Sequence, residues 1–214
     1  MQLCDGLHAF LWRDYRQNNC NTYLITGEKH LLIDPGHLHL FGRVRQGLAE
    51  IGLTPEQIDL VFVTHGHPDH IEASAVFAET RALFALSRVD HALVTRLSGF
   101  SPAIPEPDVF LKEGEWTVGA EHFQVLATPG HSPGSLCLYW PKRKALVTGD
   151  VLFSQGIGRT DLPGGSGKQL KESIRRLQTL DVELLLCGHG EVVVGKKAVQ
   201  DNFRGIASSW WNAL

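Results

Sequence analysis

The stretch Thr64-His65-Gly66-His67-Pro68-Asp69-His70 decides how this chain is read. It follows the apolar run Leu60-Val61-Phe62-Val63, which is short, rich in β-branched and aromatic residues, and closed by a Gly/Pro cluster. Such a run is expected to be a buried strand, so three imidazoles and a carboxylate stand at a strand's C-terminal mouth. That is where ligands bind in open α/β sheets. Alternation along an extended chain puts His65 and His67 on one side. Pro68 then breaks the strand and turns Asp69 and His70 toward a second position close by. Neutral imidazole nitrogen and carboxylate oxygen are zinc ligands, and zinc takes about four of them. Donors this dense point to parts of two metal sites rather than one complete site. The remaining ligands must come from elsewhere in the chain.

Composition bounds the alternatives. At 214 residues, with 43% hydrophobic and 20% charged residues, the chain has the make-up of one full-sized globular domain. Its net charge of -3 supplies no basic face, which argues against a nucleic-acid partner. Met1–Gly6 has neither a basic start nor a long apolar core, and no apolar run approaches the roughly 20 residues of a membrane span. A cytoplasmic location away from any membrane is therefore expected. Cys4, Cys20, Cys137 and Cys187 are scattered, without a C-x-x-C pair, and are expected to be reduced thiols.

Outward from the histidine stretch, residues 7–34 are expected to form a meander with strands at Leu7–Trp12, Cys20–Thr26 and His30–Asp34. Asp34-Pro35-Gly36 ends the last of these. Val44, Leu48 and Ile51 mark a helix face, and Thr54-Pro55-Glu56-Gln57 carries the cap residues of a short helical turn. Ile71–Thr80 is expected to be helical and Ala82–Leu86 a strand. A helix capped at Ser87 should then run to about Arg96. Residues 98–108, with Gly99 and three prolines, predict an irregular linker or lid. The second half repeats this grammar, with strands at 116–118, 122–127, 135–140 and 144–148 and a Gly-rich loop at 154–167. A helix capped by Ser166 and Gln169 should bury Leu170, Ile174 and Leu177. A strand at Val182–Cys187 precedes a last helix over roughly 196–211. Strands followed by a helix, twice over, predict two sheets packed face to face between helices.

Three further strand-end loops carry ligand-type residues: Thr128-Pro129-Gly130-His131, Thr148-Gly149-Asp150 and Cys187-Gly188-His189. With His65-x-His67-x-Asp69-His70 in one chain, this order of motifs resembles the metallo-β-lactamase superfamily over nearly its whole length. The resemblance implies a four-layer αββα sandwich with a dinuclear metal site at one edge. It places His65, His67 and His131 on one metal, Asp69, His70 and His189 on the other, and Asp150 between the two. Seven donors and a shared hydroxide would satisfy two divalent ions and leave a position open for substrate. Zn2+ is the expected metal, with iron and manganese accepted by the same donors. A structural or metal-sensing module would instead need closed ligand shells.

Within the superfamily, residues 153–165 look like the hydroxyacylglutathione hydrolase (glyoxalase II) and persulfide dioxygenase branch. That likeness implies a hydrolase of thioesters such as S-lactoylglutathione, with Asp69 fixing and deprotonating the attacking water. Arg159 falls where the branch places a basic residue facing the thioester; a loop ion pair is its alternative. The sequence departs from that enzyme at Gly190-Glu191, where an aromatic contacts glutathione, at Asp161, where it uses Tyr, and at Glu72 in place of a small residue. Only about one helix follows His189, so a single domain over 1–214, without the C-terminal helical clamp on glutathione, is expected. Iron-dependent persulfide dioxygenase and a lactonase or esterase are the alternatives; a β-lactamase fits the bridging Asp150 and the Arg159 loop less well. Asp34, at a neighbouring strand end, is expected to orient a ligand histidine, a turn-forming Asp before Pro35 being the other reading. The other histidines (His8, His30, His37, His39, His91, His122) are assigned to packing or surface, His37 standing out because it follows the Asp34-Pro35-Gly36 turn. Trp210-Trp211 is expected in the core, a contact within a homo-oligomer being the other reading.

Overall fold

The protein is described from a computed structural model covering residues 1–97 and 104–211. It divides into two compact units, Met1–Leu111 with Thr117–Glu121, and Lys112–Trp116 with the chain from His122 onward.

The first unit is built on a seven-stranded sheet whose spatial order is its sequence order. The strands are β1 (Gln2–Cys4), β2 (Leu7–Phe10), β3 (Thr22–Ile25), β4 (Leu31–Ile33), β5 (Leu60–Phe62), β6 (Leu83–Ser87) and β7 (Val109–Leu111). β1 to β4 are antiparallel, and β4 to β7 run parallel. The parallel strands are joined by α1 (Gly42–Glu50), by α2 (Pro68–Ile71) with a 3-10 run over Glu72–Phe77, and by α3 (Arg88–Leu97). Register pairs Leu24 with Leu32, Leu32 with Val61 and Val61 with Phe84, so one apolar row crosses four strands. Val44 and Leu48 of α1, with Phe41, Ile58 and Phe77, cover that row. β3, β4 and β5 are buried on both faces, which explains why their sequences read as continuous apolar runs rather than alternating ones.

The second unit holds a six-stranded sheet in the order β15-β14-β11-β10-β9-β8. Its strands are β8 (Gly114–Val118), β9 (Glu121–Ala127), β10 (Leu136–Trp140), β11 (Ala145–Gly149), β14 (Leu184–Cys187) and β15 (Val193–Val194). A hairpin of β12 (Leu152–Phe153) and β13 (Gly156–Ile157) stands apart in the Gly-rich loop. Two helices cover one face, α4 (Gly167–Leu177) through Leu170, Ile174 and Leu177, and α5 (Lys196–Trp210) through Val199, Phe203 and Ile206. Ser166 caps α4 by accepting from the Gln169 N–H.

Several expectations change in detail. Ile51 lies past the end of α1 and is exposed; Gly47 joins Val44 and Leu48 on the buried face instead. Ile71–Thr80 is one α-turn and a 3-10 run, because Pro68 starts the α-turn and Ala73 bonds back to Gly36 rather than along a continuing helix. The β12–β13 hairpin and β15 carry runs too short for periodicity to reveal. Trp210 is 39% exposed, and Trp211 is only half-buried, with Lys171 and Arg175 of α4 over its ring. The pair is therefore not the core element expected of it: α5 turns its apolar stripe inward only as far as Ile206. The irregular stretch expected at 98–108 lies outside the described residues over 98–103 and has no helix or strand over 104–108. All four cysteines are thiols, and burial pushes the Cys187 thiol up to about 12.

Leu48 is fully buried between α1 and the apolar row. Leu48→Ala is expected to cost about 2–5 kcal/mol by urea denaturation, the range for a truncated core leucine. A loss below about 0.5 kcal/mol would mean that α1 does not rest on this sheet.

Candidate metal centre

In the first unit, parallel register brings the ends of β4, β5 and β6 side by side. Ile33, Phe62 and Ala85 are neighbours in the sheet, so the residues that follow them emerge together. Asp34 continues the ladder by donating its N–H to Phe62 O at 3.0 Å. Its backbone has φ +53°, a left-handed conformation that Asp tolerates better than most residues. That turn directs the carboxylate at the start of the histidine loop.

Asp34 is buried, and three donors converge on it. The Thr64 N–H reaches Oδ1 at 2.8 Å, while the Thr64 hydroxyl and His70 Nδ1 reach Oδ2, each at 2.8 Å. A carboxylate only accepts, so His70 carries its proton on Nδ1 and its Nε2 is the basic nitrogen. The Thr64 hydroxyl gives its proton to Asp34, so it can only accept from His65 Nδ1, 3.0 Å away. That fixes the same tautomer on His65. One buried carboxylate thus sets two imidazoles, one directly and one through a hydroxyl, as residues behind metal ligands do. The rings of His65 and His70 lie 4.1 Å apart between centroids, and those of His65 and His67 4.7 Å apart.

Two supports of this cluster escaped the sequence reading. Asp90 of α3, fully buried, accepts from the Gly66 N–H at 2.8 Å and pins the loop between His65 and His67. Gly66 fits closely there, since a Cβ would stand 2.4 Å from Val94 Cγ2 and would have to displace it. A signal for Asp90 existed: with Leu93 it makes the buried face of α3, and a carboxylate on an apolar face needs a partner. Asn18 donates from Nδ2 to Asp69 Oδ2 at 2.7 Å, holding the carboxylate expected to act in catalysis. Nothing in the polar run Arg13–Asn19 separates Asn18 from its neighbours, so sequence alone could not single it out.

The second unit carries the other expected donors. β11 and β14 are parallel, with Gly149 opposite Cys187, so Asp150 and His189 leave adjacent strand ends. His189 Nε2 lies 3.3 Å from Asp150 Oδ2, and His131 Nε2 lies 3.5 Å from the same oxygen. His131 Nδ1 is 2.8 Å from the Arg159 carbonyl, which can only accept, so Nε2 is again the basic nitrogen. The His131 turn is clamped by α4: Ser173 Oγ donates to Pro129 O and the Ser166 N–H to Gly130 O. These nitrogen–oxygen spacings match the edge of a tetrahedral zinc site, about 3.4 Å for ligands near 2.1 Å from the ion. Both donor sets therefore fit divalent metal by chemistry and by tautomer. The Arg159 guanidinium forms an exposed bidentate pair with Asp161 at 2.8 and 2.6 Å, which holds the Asp161 carboxyl down to about 2. The loop ion pair weighed as the alternative for Arg159 is thus present. What Arg159 demonstrably gives the site is its carbonyl.

The model of the metallo-β-lactamase superfamily matches residues 15–189. A probable metallo-hydrolase of Methanocaldococcus jannaschii is 33% identical over 80% of this chain and 88% of its own. The hydroxyacylglutathione hydrolase GloC of Haemophilus influenzae is 30% identical over 81% of this chain and 86% of its own. Among solved structures, TTHA1623 in a di-iron-bound form is 35% identical, with a TM-score of 0.69 over 82% of this chain and 89% of that one.

Asp34→Asn keeps size and turn tolerance but puts an amide donor where three donors converge. Metal affinity is expected to fall about 10–100-fold with the circular dichroism unchanged. Zinc retained by mutant and wild type after dialysis against a competing chelator measures it, and equal retention would remove Asp34 from its orienting role.

Proposed function

This chain belongs to the metallo-β-lactamase superfamily, and from that premise we propose that it is a metal-dependent hydrolase of thioesters such as S-lactoylglutathione. Its fold class is the metallo-β-lactamase one expected from the sequence. We assign His65, His67 and His131 to one ion, Asp69, His70 and His189 to the other, and Asp150 to both, as the resemblance implies. The observation that carries the metal reading is the tautomer lock. His65, His70 and His131 each have Nδ1 held by an acceptor of their own unit, so each is prepared to ligate through Nε2. The similarity to GloC, together with the loop at 153–165, supports the thioester class. The ions, zinc in this proposal, would acidify water toward neutral pH and supply positive charge against the developing oxyanion. The di-iron form of the relative TTHA1623 supports a two-ion site and makes iron the competing metal.

The chain's own residues do the rest. Asp69 presents one carboxylate oxygen fixed by Asn18 and can orient the attacking water and take its proton. Asp34 and Asp90 keep the histidine loop in place throughout, so no reorganisation is needed at the moment of reaction. Arg159, on the exposed loop, would meet the thioester's polar end by exchanging Asp161 for substrate.

Zinc-loaded protein is expected to hydrolyse S-lactoylglutathione, and Asp69→Ala to lose about 10²–10⁴-fold in kcat with its metal content measured alongside. Arg159→Ala should raise KM more than it lowers kcat, as for a residue that binds ground and transition states alike. No turnover by fully metallated protein would sink the thioester assignment. Nitrocefin, lactones and, with iron, glutathione persulfide with oxygen uptake would then identify the reaction among the competing ones.

A further inference from the structure

Two of the histidines left to packing and surface do not stand alone. His37, His39 and Glu72 bring one ligand atom each into a group whose members all lie within 4.8 Å of one another. All three belong to the first unit, and none is among the donors assigned above. His37 Nδ1 is 2.7 Å from Glu72 Oε2, and the His37 and His39 rings are 5.1 Å apart at an interplanar angle of 44°. His37 and Glu72 are half-buried, while His39 is exposed.

Backbone hydrogen bonds, together with the His37–Glu72 contact, set this grouping. Gly36 donates its N–H to His70 O, and Ala73 donates its N–H to Gly36 O. These two bonds tie the segment after Asp34 to the segment after His70, which puts His37 directly beside Glu72. The His37 N–H is held in turn by Asn19 Oδ1 at 2.8 Å. A 3-10 turn over Leu38–Leu40 then swings His39 back toward the same point. The donors are thus brought together by hydrogen bonds that owe nothing to an ion.

We propose that His37, His39 and Glu72 form an accessory site for a borderline divalent transition ion of the zinc type. Two imidazoles and one carboxylate are a ligand set that zinc accepts, with a fourth position left to water on the exposed side. Neighbouring ligands on a tetrahedral ion stand about 3.4 Å apart, so the His37–Glu72 pair opens by under about 1 Å and His39 closes in by side-chain rotation. The same donors rank ions along the order that rises from manganese to copper, whereas magnesium and calcium prefer all-oxygen shells. The bound ion clips the Gly36–Phe41 segment to the start of the 3-10 run at Glu72. Because an ordinary ion pair already joins His37 and Glu72, His39 is the residue whose loss separates the two readings.

Equilibrium dialysis against zinc followed by elemental analysis tests this. At a common free zinc concentration, His39→Ala and Glu72→Gln are each expected to bind one equivalent fewer than wild type. The exposed surface histidine variant His122→Ala should match wild type. The same loss should appear when His39→Ala is made in a His67→Ala background, so failure here is distinct from failure of the seven-donor assignment. Nickel-induced broadening of the His39 ring proton signals in wild type, absent in Glu72→Gln, gives a second readout that no ion pair would produce. Equal zinc content in wild type and His39→Ala, or unbroadened His39 signals, would overturn the proposal and leave an ion pair beside an exposed histidine.

Discussion

A single buried carboxylate organises the histidine cluster of the first unit. Asp34 has almost no solvent exposure, and burying a charge is costly unless it is hydrogen-bonded. Here the offset comes from the Thr64 amide, the Thr64 hydroxyl and the His70 imidazole. None of the three is a remote partner. Thr64 follows β5, the strand that pairs with β4, and His70 stands one α-turn farther on. The sheet register that builds the core is thus the same feature that delivers the donors to Asp34. A slip of one residue between β4 and β5 would mispair the apolar row and move Thr64 and His70 away from Asp34 together.

The second unit solves the same problem with different parts. Its imidazole lock is a backbone carbonyl, that of Arg159, and its carboxylate Asp150 faces two histidines from the end of β11. A carbonyl needs no particular side chain, only a loop held in one course. The β12–β13 hairpin, the Gly158 N–H bond to Val151 O and the Ser166 cap of α4 hold it. This explains why the loop at 153–165 is rich in glycine and yet well defined: its job is to place main-chain atoms.

What the sequence disclosed follows from these two strategies. Apolar runs, caps and the order of strand-end loops were legible because each is a local pattern. β6 and α3 accordingly stand within about one residue of their expected bounds. Asp34 was singled out by its place after a strand, where an orienting role and a turn-forming Asp before Pro35 both fit; its bonds to Thr64 and His70 come from the fold. Asp90 carried a signal, a carboxylate beside Leu93 on one helix face, but that signal does not name Gly66 as the partner. Asn18 reaches Asp69 across 51 residues from a turn of equally polar neighbours. Such pairings depend on how strands stack, which periodicity within one window does not report. The misplacement of Trp210-Trp211 has the opposite cause: helical spacing was real, but α5 had already buried its face by Ile206, and the aromatic end lies along α4.

Locking tautomers before any ion arrives also bears on affinity. An imidazole must present an unprotonated nitrogen to ligate, so a histidine whose Nδ1–H is committed to Asp34, Thr64 or a carbonyl has already made that choice on folding. The ordering cost then falls on the fold, where the apolar row and the cover of α1 and α4 offset it, rather than on metal binding. His37 shows the contrasting case. Its Nδ1 faces a carboxylate that can itself ligate, so an ion there must first separate the pair. The histidines of this chain therefore divide by what holds Nδ1. Where the holder is Asp34, Thr64 or the Arg159 carbonyl, Nε2 is left available without breaking a bond; where it is itself a possible ligand such as Glu72, the pair must open first.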